Sequence, residues 1–388
     1  MKWSNWSGRL TAEPQQIVSV SSTDEVAEAL GTRDLPNPVR AAGATHSHAP
    51  LVPTDGTIID TAGLSGLISV DPAANSARFH AGTRICDIGQ PLLEHGLGLM
   101  NQGDIDQQAL AGALATGTHG TGTSLQNFSA SLLAATFVTA DGSIVSCNPQ
   151  EEPEIFQAAR LSLGALGVMT ELTVRVRPAY RLQERLWLED LDQVMGRIDE
   201  LTSATRHFEY FWYPGQERAI CKATDETDAA PIEPLGKEGE RLSWSFNVLA
   251  NSRTDKHTEM EYSLPAEHGP QCLAAIRSLT ARHPEVTWPI EYRTVAPDDV
   301  WLSPARGRQT VTISIHEDVA RDEEPYYREA EEIFRSFDGR PHWGKVNYLG
   351  PDSYRAIYGE QWEQWWSVRN QLDPTGRFLN QRLMSIAA

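Results

Sequence analysis

Gly112-Ala-Leu-Ala-Thr-Gly-Thr-His-Gly-Thr-Gly122 is the stretch on which the reading of this chain turns. Four glycines in eleven residues, interleaved with Thr116, Thr118 and Thr121, describe main chain brought close to something and hydroxyls within its reach. A residue without Cβ lets the backbone approach a ligand. An earlier turn, Arg40-Ala-Ala-Gly-Ala-Thr-His46-Ser-His-Ala-Pro50, belongs with it. A phosphate-bearing cofactor is the expected ligand. The segment lacks G-x-G-x-x-G spacing and a G-K-[S/T] ending, so it supports neither a dinucleotide fold nor a nucleoside-triphosphatase loop. A glycine-rich surface loop without a ligand is the alternative that this stretch alone leaves open.

At 388 residues the chain is comfortable as two domains and can bury a large ligand. A hydrophobic content of 40% with 22% charged residues is ordinary for a folded protein. No apolar run approaches the roughly 18 residues that span a bilayer, and no leader-like apolar segment opens the chain, so membrane insertion is not expected and the cytoplasm is. Cys86, Cys147, Cys221 and Cys272 are far apart with no C-x-x-C pair, so no metal site and no disulfide framework is expected. A formal charge of -19 opposes nucleic acid and anionic lipid and favours a small neutral substrate.

Along the chain, Ser22-Thr-Asp-Glu25 is a capping box that predicts a helix, and Val39 to Ala42 and Thr57 to Asp60 predict strands on either side of the His46 loop. Leu67 to Val70 and Ala77 to Ala81 predict a hairpin, followed by one helix through Ile85, Ile88, Leu92 and Leu93 that stops at Gly96. Leu133 to Thr139 and Ile144 to Cys147 flank Asp141-Gly142, read as a two-residue hairpin turn with positive φ. A helix around Ile155 to Leu161 and a strand from Thr170 to Val176 come next, and Pro178 marks a boundary. Beyond it, Phe208 to Trp212 reads as a strand, Cys272 to Arg282 as a helix, and Lys222 to Arg241 as an exposed excursion. Tyr354 to Leu372 reads as one helix whose Trp362, Trp365 and Trp366 are for packing. The fold class is α+β, with no internal repeat.

Two segments of the second half carry chemistry. In Trp288-Pro-Ile-Glu-Tyr-Arg-Thr-Val295 a strand's period of two puts Glu291 and Arg293 on one face. In Thr310-Val-Thr-Ile-Ser-Ile-His316 the apolar residues take one face and Thr312, Ser314 and His316 the other. Two strands can thus present one polar wall. An exposed sheet face with a surface ion pair fits the pattern equally well.

Taken in order, the motifs give the chain a resemblance to the vanillyl-alcohol-oxidase superfamily of flavoproteins, and within it to the sugar-1,4-lactone oxidases and dehydrogenases (gulonolactone and arabinonolactone oxidases) and their alditol-oxidase relatives. They are Asn5-Trp6, His46-Ser47, Asn101-Gln-Gly-Asp104, Ala115 to Gly122, Ser162-Leu-Gly-Ala-Leu-Gly-Val168, His342-Trp-Gly-Lys345, and Leu372-Asp-Pro374 with Phe378-Leu-Asn380. The resemblance implies a bipartite FAD-binding domain of the PCMH type, residues 1–177 with a returning segment 341–388, and an inserted substrate domain, 178–340, built on an antiparallel sheet.

It implies FAD attached covalently through His46, with His48 as a competing candidate, and with Thr45 where the family has Gly. Gly43, Ala44, Thr45 and Ser47, with Gly112, Gly117, Thr118, His119, Gly120, Thr121, Gly122 and Val168, would surround the cofactor. Around the substrate, His316 would be the base, Arg293 and Lys345 the stabilisers of a developing alkoxide, and Glu291 a ligand of substrate hydroxyls or a brace for Arg293. The implied reaction is oxidation of a CH–OH group of a sugar-derived lactone by hydride transfer to flavin N5, with O2 or another electron acceptor closing the cycle. Alditol oxidases carry Thr two residues after the His, where this chain has Asp318, which favours a lactone over a polyol. A non-catalytic flavin-binding protein is the reading from another class.

Overall fold

The computed structural model describes residues 1–32 and 34–387. Near the N-terminus three short strands run parallel, with Thr57–Asp60 between Gln16–Ser19 and Val39–Ala42. The helix Thr23–Thr32 follows the first of them. Its start is capped by side chains: the Ser22 hydroxyl accepts from Glu25 N–H at 3.1 Å, and the Glu25 carboxylate reaches back to accept from Ser21 N–H at 2.7 Å, one residue before the N-cap that the capping box addresses.

An antiparallel sheet follows, ordered Ile144–Cys147, Leu132–Val138, Val168–Pro178, Ser76–His80 and Leu67–Asp71, with Leu97–Leu99 also pairing with Val168–Pro178. The larger core lies against it. Phe79, Leu110, Phe137, Leu172 and Val174 are buried there together with Trp362, Trp365, Trp366 and Leu383 of the C-terminal segment. The tail is therefore structural material of the first half, as a bipartite domain requires.

The second half is built on an eight-stranded antiparallel sheet: Leu242–Trp244, Arg181–Asp190, Arg218–Thr227, His207–Trp212, Ile290–Val295, Thr310–Asp318, His257–Pro265 and Arg340–Pro341, in that spatial order. Successive side chains point to opposite faces. Tyr210, Met260, Tyr262, Tyr292, Ile313 and Ile315 form a second core with Leu273, Ile276, Tyr327 and Phe334, which come from the helices Gly269–Thr280 and Glu324–Ser336. The opposite face is left for the polar partners of the same strands.

Four sequence expectations are corrected. The helix expected from Ile85 onward is a 3₁₀ turn, Ile85–Asp87, followed by a helix Gly89–Glu94, whose first residue packs against the Phe246 ring, where a Cβ would lie 2.2 Å from its Cγ. The helix expected over Tyr354 to Leu372 is two, Pro351–Tyr358 and Glu360–Leu372, broken where Gly359 takes φ 56°. The Asp141-Gly142 hairpin is not a two-residue turn. Gly142 N–H donates to Thr139 O at 3.0 Å and Thr139 N–H to Ser143 O at 2.9 Å, and of the pair Gly142 alone has positive φ. The stretch read as an exposed excursion begins and ends in the interior: Lys222 lies in the strand Arg218–Thr227, and Lys222 and Arg241 are both buried.

Candidate active site

The turn after Val39–Ala42 and the segment 108–118 form the walls of a narrow groove of about 150 Å³. Gly43 makes their approach possible, since a Cβ there would lie 2.7 Å from the Ala109 Cβ. A Cβ on Gly112, which lines the same groove, would meet no atom within 4 Å and would stand in the groove itself. Thr45 holds the turn at φ 60°, a left-handed conformation that a β-branched residue rarely takes, and its carbonyl accepts from Trp6 N–H at 2.8 Å. The Trp6 ring stacks on His46 with centroids 5.5 Å apart. Neither His46 nitrogen has a hydrogen-bond partner among the described residues. Burial, then Arg84, Lys345 and Lys256, lowers the imidazole to about 4, so it is neutral.

Arg40 lies at the back of the groove, fully buried, with no carboxylate within 4 Å among the described residues. Its guanidinium donates instead to four carbonyls: Leu51 at 2.7 Å, Gly164 at 2.8 Å, Phe378 at 2.5 Å and Leu163 at 2.7 Å. Burial and the neighbouring Arg369 bring its pKa down to about 9, which still leaves a cation at neutral pH.

The groove opens into a larger cavity of about 720 Å³, and Ala44, Thr45, His46, Gln108, Thr118, His342 and Lys345 line both. The polar face of the eight-stranded sheet forms its far wall. Register aligns that wall: Glu259 is opposite His316, Glu261 and Glu291 flank Ser314, and Arg293 is opposite Thr312. His316 Nδ1 lies 2.8 Å from the Pro289 carbonyl, which fixes a proton there, and Nε2 lies 3.8 Å from Glu259 and 4.0 Å from Glu291. Lys345 is ion-paired with Glu259.

Arg293 is held by three carboxylates: Glu209 at 2.6 Å, Glu291 at 2.8 Å and Asp104 at 3.3 Å. Burial alone would weaken its hold on the proton, but the carboxylates prevail and raise its pKa well above the usual value. Lys222 continues the network to Glu209 at 3.1 Å and Glu184 at 3.5 Å, and Arg241 pairs with Glu184. Deeper still, His119 Nε2 meets Glu261 at 2.8 Å while its Nδ1 meets the Gly120 carbonyl at 2.8 Å. Burial opposes a charged ring there, yet Glu261 outweighs it and raises the pKa, and each ring nitrogen faces an acceptor.

Comparison with known proteins assigns this architecture. Residues 172–244 and 234–386 match the D-arabinono-1,4-lactone oxidase family, and residues 14–148 match an FAD binding domain. An L-gulono-1,4-lactone dehydrogenase of Mycobacterium tuberculosis is 34% identical over 97% of either chain. The chain belongs to the D-arabinono-1,4-lactone oxidase family. An alditol oxidase of a Streptomyces species is 30% identical over 97% of this chain and 96% of its own. A cholesterol oxidase from Brevibacterium sterolicum shares the fold at a TM-score of 0.87 and 16% identity, covering 100% of this chain and 96% of that one.

The cofactor of this family member is FAD, and the groove fits it. Gly43, Gly112, Gly164, Gly167 and Gly344 are among the residues lining the groove, the uncompensated Arg40 charge favours an anionic ligand, and His46 stands where the groove meets the cavity. Of the residues expected around the cofactor, Gly43, Ala44, Thr45, His46, Ser47, Gly112 and Thr118 line the groove and His119 lines the cavity. Gly117, Gly120, Thr121, Gly122 and Val168 do not line either space. Gly117 caps the helix Leu110–Thr116 at φ 76°, and Val168 is enclosed in a core behind the sheet.

Thr121 and Gly122 dock the substrate sheet instead: Gly122 N–H donates to Thr294 O at 2.9 Å and the Thr121 hydroxyl to Phe208 O at 2.5 Å. A Cβ on Gly120 would lie 2.3 Å from the Gln102 carbonyl, so the close approach that its glycine signals is to the chain itself. All four residues of the expected wall, Glu291, Arg293, His316 and Lys345, line the cavity, and Asp318 turns aside to accept from Ala320 N–H at 2.8 Å.

Sequence reasoning missed Glu259, Glu261, His257 and His342. The signal was present as Glu259-x-Glu261-x-Ser263 alternating with Met260, Tyr262 and Leu264. His48, His257 and Glu259, and separately His119, Glu261 and His342, come within a metal's reach of one another, though each carboxylate is already ion-paired, with Lys345 and His119 respectively. Among the described residues no helix is long and apolar enough to cross a membrane.

Proposed function

We propose that this protein oxidises a CH–OH group of a sugar-1,4-lactone with FAD, using the cavity wall as its substrate site. The carrying observation is that Glu291, Arg293, His316 and Lys345, from three separate segments, line one cavity continuous with the glycine-walled groove. FAD, when bound, supplies the hydride acceptor. His316 Nε2 removes the substrate hydroxyl proton, since the Pro289 carbonyl occupies the opposite nitrogen. Lys345 steadies the developing alkoxide with the N–H groups that Glu259 does not use.

Arg293 has three nitrogens turned to carboxylates, so it contributes positive field and holds Glu291, whose remaining acceptor capacity suits a sugar hydroxyl. His46, neutral and without a hydrogen bond, is the attachment point of the flavin. The substrate is a small sugar-derived lactone and the oxidant is O2 or another acceptor. Anaerobic mixing of the yellow protein with a panel of lactones and polyols tests this: bleaching by lactones is expected. Bleaching by polyols alone would make it an alditol oxidase, and no bleaching by either would make it a non-catalytic flavin protein.

A further inference from the structure

We infer that Glu259 is a positioning residue for this reaction: its carboxylate holds the Lys345 ammonium at the cavity and supplies the negative charge against which His316 takes up a proton. The inference rests on the function proposed above. Glu259 is 6% exposed, and a carboxylate so buried is costly unless it is paired. Its partners are the two groups to which the chemistry was given: Lys345 binds one oxygen and His316 Nε2 lies 3.8 Å from the other.

The remaining charged or titratable neighbours do not compete. His48 and His257 are neutral, each lowered first by burial, and Glu261 is satisfied by His119 and by the Ser314 hydroxyl at 2.8 Å. Glu291 is turned to Arg293 at 2.8 Å. Within this box Glu259 is the only anion facing both the base and the ammonium, among the described residues.

A role in docking the Lys345 segment alone does not account for the carboxylate. The main chain already makes that joint, with Val346 N–H donating to Glu259 O at 2.9 Å and His342 N–H to Glu261 O at 3.0 Å. An apolar side chain would have closed the sheet face at lower desolvation cost. What the carboxylate adds is charge. It ties the protonated state of Lys345 to that of His316, so that the proton arriving on His316 is met by a fixed anion and the ammonium remains aimed at the substrate oxygen.

The test is Glu259→Gln, which keeps the shape and removes the charge, read by anaerobic stopped-flow reduction of the flavin with a lactone that the wild type oxidises. Loss of a neighbouring anion disfavours the charged forms of both His316 and Lys345. The acid and alkaline limbs of the rate–pH profile are therefore both expected to move to lower pH. The limiting rate is expected to fall roughly tenfold or more at the wild-type optimum. Glu259→Asp, which keeps the charge, should leave the limbs near their wild-type positions.

A rate within twofold of wild type with unmoved limbs would overturn the inference, as would a fall in flavin content or melting temperature with an unchanged pH profile. If Glu259→Gln alone does not fold, the pair Glu259→Gln with Lys345→Met leaves no unpaired charge. Its acid limb should lie below that of Lys345→Met alone, and coincident limbs would overturn the inference. A wild type that no lactone bleaches would instead overturn the proposed function.

Discussion

Replacing Arg293 by Met should destabilise the eight-stranded sheet as well as slow catalysis. The guanidinium lies 2.6 Å from Glu209, 2.8 Å from Glu291 and 3.3 Å from Asp104, and Glu209 and Glu291 are themselves buried. Without it, Lys222 at 3.1 Å still serves Glu209 and Arg253 at 3.3 Å still serves Asp104, but Glu291 is left facing only His316, at 4.0 Å. Removing one partner of a buried pair costs about 3–5 kcal/mol, and the expected value is at the upper end because one cation satisfies three anions.

For a chain of this size that lowers the melting temperature by about 5 °C. The deficit also has a pH signature. Burial works against the Asp104 carboxylate, but Lys222, Arg293 and Arg253 hold its pKa below the usual range, so its share of stability is present above the ordinary carboxylate value and lost on acidification. The gap between wild type and variant should therefore be full at pH 7 and narrow toward pH 4, as the stranded carboxylates of the variant protonate. Thermal unfolding by tryptophan fluorescence at several pH values measures both quantities, and Arg293→Lys should recover part of the loss. A gap below about 2 °C at pH 7, or one that does not change with pH, would refute the reasoning.

Acid precipitation of the wild type should leave flavin on the peptide that contains His46, and His46→Ala should release it to the supernatant; complete extraction from the wild type would exclude a covalent link. Thr45→Gly removes the strain of a β-branched residue at φ 60° and should stabilise the protein by about 1 kcal/mol, seen as a small rise in melting temperature, with no rise or a fall counting against strain at that turn. His257 and His342 are both held near 4, chiefly by burial, so unfolding takes up protons between about 4 and 6.5. Unfolding free energies from denaturant titration should accordingly decrease as the pH is lowered across that window, by on the order of 1–3 kcal/mol per unit, and a flat profile would contradict the neutral assignment.

The polar wall was legible because a strand's period is two and because Glu291, Arg293 and His316 each sit among apolar residues that declare the other face. Glu259 and Glu261 obeyed the same rule, but what brings them to the wall is the pairing of His257–Pro265 with Thr310–Asp318, a register that no local pattern records. Lys222 and Arg241 misled for a related reason. A charged residue reads as solvated until its counter-charges are known, and theirs, Glu184 and Glu209, come from other strands.

Gly120 and Gly122 show the limit of a glycine signal, which reports that something is close without saying what. For these two it is the Gln102 and Arg206 carbonyls, 2.3 Å and 2.7 Å from where a Cβ would stand. Thr45 was the converse case, a residue with a side chain in a position whose backbone asks for none.

The four carbonyls on Arg40 also bear on how the protein is made. Phe378 lies 338 residues downstream of the side chain that binds it, Arg377 O accepts from Val39 N–H at 2.8 Å, and the Asn380 amide reaches back to the Pro50 carbonyl at 2.9 Å. At a synthesis rate of roughly 5–20 residues per second, the nascent first half waits from tens of seconds to over a minute for these partners. Throughout that interval a buried guanidinium and the apolar bed for three tryptophans stand open on the ribosome. The Arg40 cluster behind the groove is thus completed by a segment translated 338 residues later, so the cofactor can be offered a finished site only after that segment has emerged.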